Sequence, residues 1–175
     1  VDDEIIAAVT GTAYTGETGS TSTTFTAGNA ITESGSDGLT LAKLRSAKQI
    51  LDSNSVDSSI PRTIVVAPVA VSDLLAVTQA TSSDYASVKA LVQGEIDTFM
   101  GFKFVVSNRL SKTGNLRKLL VYAQDGMLLA LGADIVTRID ERSDKGYATQ
   151  VYCSQSIGST RMEETKCVSI ESYEA

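Results

Sequence analysis

The hydrophobic period changes along the chain, and that change narrows the possible folds more than any other feature. Leu41, Leu44, Ala47 or Lys48, and Leu51 recur at helical spacing within Leu39–Asn54, with Lys43, Arg45 and Gln49 lying elsewhere. Thr40 stands where an N-cap belongs. After Gly101 the period drops to two, with Phe102, Phe104 and Val106 alternating as in a strand with one buried face. Segments Asp134–Arg142, Tyr147–Ser154 and Lys166–Tyr173 also alternate, with Ser143–Gly146 as a turn and Ile157–Gly158–Ser159 in the second connection. Helical and alternating segments that do not repeat as βαβ units define an α+β fold.

Between these anchors, Asp2–Thr10 reads as the last turns of a longer helix, with Ile5, Ile6 and Val9 on one face and Gly11 at its stop. Residues Thr12–Gly38 are rich in Thr, Ser and Gly and carry only Phe25 and Ile31 as strong apolar anchors, so a loop or weak hairpin is expected. A strand at Thr63–Ala67 leads through Pro68 into a helix around Val71–Thr78. Another helix is expected at Asp84–Gln93, closed by Gly94, and a strand at Leu119–Ala123. Gln124–Asp125–Gly126 then turns into a short apolar helix, Met127–Leu131, ended by Gly132.

The chain has 175 residues, 42% of them apolar, which suffices for a packed core. Its net charge of −6 gives no global attraction for nucleic acid phosphates. No apolar run approaches the ~20 residues of a membrane helix, and no leader pattern precedes a cleavage site. The two cysteines, Cys153 and Cys167, have no metal or redox spacing and read as reduced thiols, each a small hydrophobe.

The absence of histidine removes Ser-His and Cys-His catalysis and imidazole metal ligation together. The remaining candidates are weak. Glu163 and Glu164 are neighbours that point apart on a strand, which favours a solvated turn or an ion pair over paired carboxylates. Arg109, Lys112, Arg117 and Lys118 form a modest basic cluster without interleaved aromatics for base stacking, so a surface loop or subunit contact is favoured. Asp140–Glu141–Arg142 and Asp144–Lys145 read either as a hydrated hairpin tip or as intersubunit ion pairs. No catalytic residue, cofactor-binding residue or metal ligand is assigned, and the chain is expected not to be an enzyme.

Several segments in order nevertheless carry a resemblance. These are GLTLAKLRSAKQILDSNSV, RTIVVAPVAVSDLLAV and TSSDYASVKALVQGEIDTFMGFKFVVSNRL. They include Thr81 to Tyr85 in a Thr-Ser-x-Asp-Tyr pattern, and Gly94 to Phe102 before a strand ending in Ser-Asn-Arg. The tail GYATQVYCSQSIGSTRMEETKCVSIESYEA adds a Gly-x-x-Arg-x-Glu-Glu-like turn from Gly158 to Glu164. Together they resemble the major capsid proteins of tailed phages, whose fold is shared with herpesvirus shell floors and encapsulins.

The resemblance implies residues 1–38 as the end of the spine helix and a peripheral-domain loop, 39–133 as an axial domain, and 134–175 as peripheral-domain strands. The family's N-terminal arm, extended loop and most of its spine helix have no counterpart here. It further implies pentamers and hexamers of the full-length protein in an icosahedral head assembled in the host bacterial cytoplasm. That head would enclose DNA without reading its sequence, with scaffolding, portal or decoration proteins as further partners and no membrane. An encapsulin-like compartment subunit and a small hydrolase or transferase are the competing expectations, and a deep pocket with convergent polar groups would mark the last.

Overall fold

A computed structural model describes residues 1–33, 35–78 and 98–174. The helix expected at Asp84–Gln93 and the Thr81–Tyr85 pattern lie outside the described residues. The chain opens with helix α1, Asp2–Thr10. Its acidic first turn, Asp2, Asp3 and Glu4, complements the helix dipole. Gly11 ends it in an extended conformation (φ −69°, ψ 176°), with its N–H on Ala7 O. A Cβ at Gly11 would sit 2.6 Å from Ala7 O, so a close approach of backbone, rather than a left-handed turn, makes glycine necessary.

The Thr/Ser/Gly segment forms a small hairpin, β1 (Ala13–Thr15) with β2 (Thr21–Thr23), then a 3-10 turn at Ala27–Asn29 and β3 (Ala30–Ile31). Phe25 and Ile31, its two apolar anchors, pack against the core as expected. Helix α2 runs Leu41–Ser53 with Leu44, Ala47 and Leu51 buried. Thr40 Oγ1 accepts from Lys43 N–H at 3.4 Å, which satisfies one of the four free donors of the first turn. Replacing Thr40 with Ala is expected to lower stability by about 0.5–2 kcal/mol, measured by urea denaturation, and no change would deny it a capping role.

Strand β4 (Arg62–Val66), helix α3 (Pro68–Thr78), β5 (Thr98–Phe99), β6 (Phe102–Val106), β7 (Lys112–Thr113), β8 (Leu116–Ala123) and β11 (Cys167–Tyr173) complete the body. The sheet order is β3-β11-β8-β4-β6-β5, with β7 on β8. β4 pairs parallel with β6 and antiparallel with β8. The registers align Phe104, Ile64, Val121 and Val168 across four strands, all buried. Alternation alone places those side chains on one face, where they join the core with Leu44, Leu51 and Leu74.

The remaining two strands form a long antiparallel ribbon, β9 (Met127–Arg142) with β10 (Ala148–Arg161), paired only with each other. The helix expected at Met127–Leu131 is therefore corrected to strand. Five consecutive apolar residues have no period of their own. Pairing decides the matter: Met127 faces Arg161, Leu128 faces Thr160, and Leu131 faces Ile157. Ile157–Gly158–Ser159 is likewise inside β10 rather than in a connection. Gly132, read as a helix stop, lies in β9 where the register shifts between Ser156 and Ile157, so it marks a bulge. The turn at Ser143–Lys145 holds, and Gly146 and Tyr147 both take left-handed φ (64° and 61°).

Candidate functional site: a projecting ribbon and its root

Arg161 closes β10 at the point where the ribbon meets the body. Its side chain is 1% exposed. Nη1 donates to Val9 O at 2.9 Å, Gly11 O at 2.8 Å and Ala8 O at 3.4 Å. A helix C-terminus leaves its last carbonyls without intrahelical donors and carries partial negative charge, so a guanidinium is a fitting cap. Nη2 reaches Thr23 O at 3.4 Å, the Phe25 ring centre lies 5.4 Å from the guanidinium carbon, and Nε donates to Glu164 Oε2 at 2.6 Å. Glu164 in turn accepts from Thr26 N–H. One side chain thus joins α1, the β1–β2 hairpin and the ribbon. Ser159 Oγ adds a bond to Glu4 O at 2.6 Å one register step further along α1.

The ribbon itself is exposed. Nine of the fifteen exposed large apolar side chains among the described residues lie between Leu128 and Tyr152, among them Leu131, Ile135, Ile139, Tyr147 and Val151 at 60–72% exposure. Two strands alone are marginally stable, and apolar exposure on that scale marks a surface that binds something. Val136, Arg138, Asp140, Gln150, Tyr152 and Ser154 line a depression of about 480 Å³ on one face of it.

The residues singled out in the sequence are dispersed. Glu163 and Glu164 do point apart, Glu163 to Lys166 at 3.0 Å and Glu164 to Arg161. The basic loop is matched by acids: Arg117 pairs with Glu174, Lys112 lies 3.8 Å from Glu174, and Arg109 binds Asp3 at 2.6 Å. The Arg117 hydrogen bond holds the Glu174 carboxyl below the usual glutamate range. At the ribbon tip Arg142 grips Asp144 through two bonds of 2.9 and 2.5 Å, so these two charges are satisfied within one chain.

Cys167 is buried, and burial pushes its thiol up to about 12. Both cysteines are free, and Cys153, by contrast, is exposed on the ribbon. The thiolate is the reactive form. A thiol reagent near neutral pH is therefore expected to modify Cys153 rapidly and Cys167 only after denaturation, and equal labelling of both in the native chain would contradict the burial of Cys167. Among the described residues no group of three His, Cys, Asp or Glu side chains gathers as a metal site. Nor, among the described residues, is any helix long and apolar enough to cross a membrane.

A mixed sheet with flanking helices and a two-stranded ribbon is a fold that solved phage capsids and encapsulins share. The chain belongs to the phage capsid protein family, which it matches over residues 1–174. Solved structures share the fold. A Mycobacterium phage Che8 chain is 20% identical with a TM-score of 0.65, over 82% of this chain and 53% of that one. The capsid of Ralstonia phage GP4 is 10% identical with a TM-score of 0.69, over 99% and 63%. The SrpI encapsulin of Synechococcus elongatus PCC 7942 is 10% identical with a TM-score of 0.59, over 86% and 55%. The chain therefore spans 53–63% of the length of these three relatives. No curated protein matches it.

Arg161 was the residue that sequence reasoning did not single out. Its only signal was its place in the Gly158–Glu164 pattern, which carried no hint of the α1 carbonyls 150 positions or more away.

Proposed function

We propose that this chain is the shell-building part of a tailed-phage head subunit, which associates with copies of itself around enclosed DNA and performs no catalysis. The family match supports it, and the exposed ribbon is the observation of this molecule that carries it. A shell requires repeated contacts distributed over a surface rather than a nucleophile or a metal. In this reading residues 39–133 serve as the axial domain, 1–38 bring in the end of the spine helix and its following loop, and 134–175 supply peripheral strands. The acidic chain contributes no sequence-specific DNA contact. Scaffolding, portal or decoration proteins are its further partners, in the host cytoplasm during assembly and then in the virion.

The test is electron microscopy of the full-length gene product. Closed shells of uniform size are expected, and a folded product that never forms them overturns the reading. Shells that hold a cargo protein in place of DNA turn the result to the compartment reading, which the encapsulin likeness keeps in play. The 175-residue chain, which spans 53–63% of the length of these relatives, is expected to sediment as a monomer or small oligomer. Megadalton particles from it would refute that expectation.

A further inference from the structure

We propose that the ribbon face bearing Arg138, Asp140, Gln150 and Tyr152 is an isologous contact between two copies of this chain. The proposal rests on the shell-subunit reading and names one of its contacts. The ribbon has two unlike faces. Beyond the bulge one face carries Cys153 opposite Thr137 and Val151 opposite Ile139. The other face carries Val136 opposite Ser154, Arg138 opposite Tyr152, and Asp140 opposite Gln150. Those six side chains line the depression.

This second face sets Tyr152 at 50% and Val136 at 43% exposure beside one cation and one anion. Among the described residues neither Arg138 nor Asp140 forms a salt bridge, whereas Arg142 and Asp144, at the same end of the ribbon, pair within the chain. The two free charges are two residues apart on one strand, one of each sign. A two-fold axis at the level of Ile139 that lays β9 antiparallel across β9 of a second copy brings each Arg138 over the other copy's Asp140. The same operation sets each Tyr152 over the other's Gln150, because those residues are the cross-strand partners. A surface that satisfies its own charges by a two-fold rotation selects a second copy of itself over an unrelated partner.

Seven residue levels, 136 to 142, overlap about an axis at Ile139 and offer roughly 240 Å² per copy, against the ~800 Å² per partner of a standard interface. The contact is therefore weak singly and fits a shell that multiplies it.

Charge exchange tests the geometry in the 175-residue chain, by sedimentation equilibrium over a concentration series. The wild type is expected to dimerise reversibly. Arg138→Glu and Asp140→Arg should each weaken dimerisation by about tenfold or more, since like charges then face each other twice. The Arg138→Glu/Asp140→Arg double variant should recover it, and an equimolar mixture of the two single variants should recover it as a heterodimer. Unchanged thermal melting and circular dichroism establish that each variant is folded. A wild type that stays monomeric throughout, single variants that dimerise as well as wild type, or single variants that no mixture rescues, each overturn the isologous contact. Failure here with shells still formed by the full-length protein rejects this contact alone, and absence of shells rejects the broader reading.

Discussion

Arg161→Ala is expected to lower the unfolding free energy by about 3–5 kcal/mol, the range for removing one partner from a buried charge pair. The side chain is 1% exposed, so water does not replace what it provides. Its loss strips donors from the carbonyls of Val9 and Gly11 and leaves Glu164 facing the space where a cation stood. Each of those is a separate cost in a buried setting. Arg161→Lys should recover part of the loss. An ammonium keeps the charge, yet it lacks the planar fork that reaches α1 with one nitrogen and Glu164 with another. The change should also be local, with amide exchange in α1 rising before that in β8. Urea denaturation is the measurement, and a loss under about 1 kcal/mol would show that the hub is ornamental. If the chain is too unstable to purify after the Ala change, the Lys variant carries the comparison.

The reason Arg161 escaped the sequence is geometric. Helix and strand periods report on neighbours within a few residues, and those parts were legible. Thr40 and the Leu44–Leu51 spacing gave α2 with its cap, and the alternation of Asp134–Arg142 gave half of β9. Leu119–Ala123 also emerged as an apolar strand and Lys166–Tyr173 as an alternating one. The parallel pairing of β4 with β6, and of β11 with β3, depends on contacts across long stretches of chain, which no local pattern encodes. Met127–Leu131 failed for a related reason: leucine-rich runs favour helix by propensity, and the opposing evidence sat thirty residues on, in Ile157–Arg161. The exposure of the ribbon was hidden for the same cause, because an alternating strand pattern does not tell whether another element covers its apolar side chains.

Leu44→Ala is expected to lower the unfolding free energy by about 2–5 kcal/mol, which for a chain of this size lowers Tm by roughly 5–20 °C. Leu44 is fully buried on α2 and belongs to the same cluster as Leu51, Ile64, Phe102 and Val121. Removing its branched end costs the transfer of those methyl groups and leaves a cavity, because α2 is held at its start by the Thr40 cap and by Lys43. The Lys43 ammonium pairs with Glu33 and donates to the carbonyls of Asp37, Gly38 and Glu171. A helix tied down at that end cannot slide inward to fill the space, so the upper part of the range applies. Arg45, the next residue and exposed, is the internal control. Arg45→Ala should move stability by no more than about 0.5 kcal/mol, since alanine is a better helix former and no buried contact is lost. Equal effects at the two positions would mean that α2 does not present the face its spacing assigns to the core.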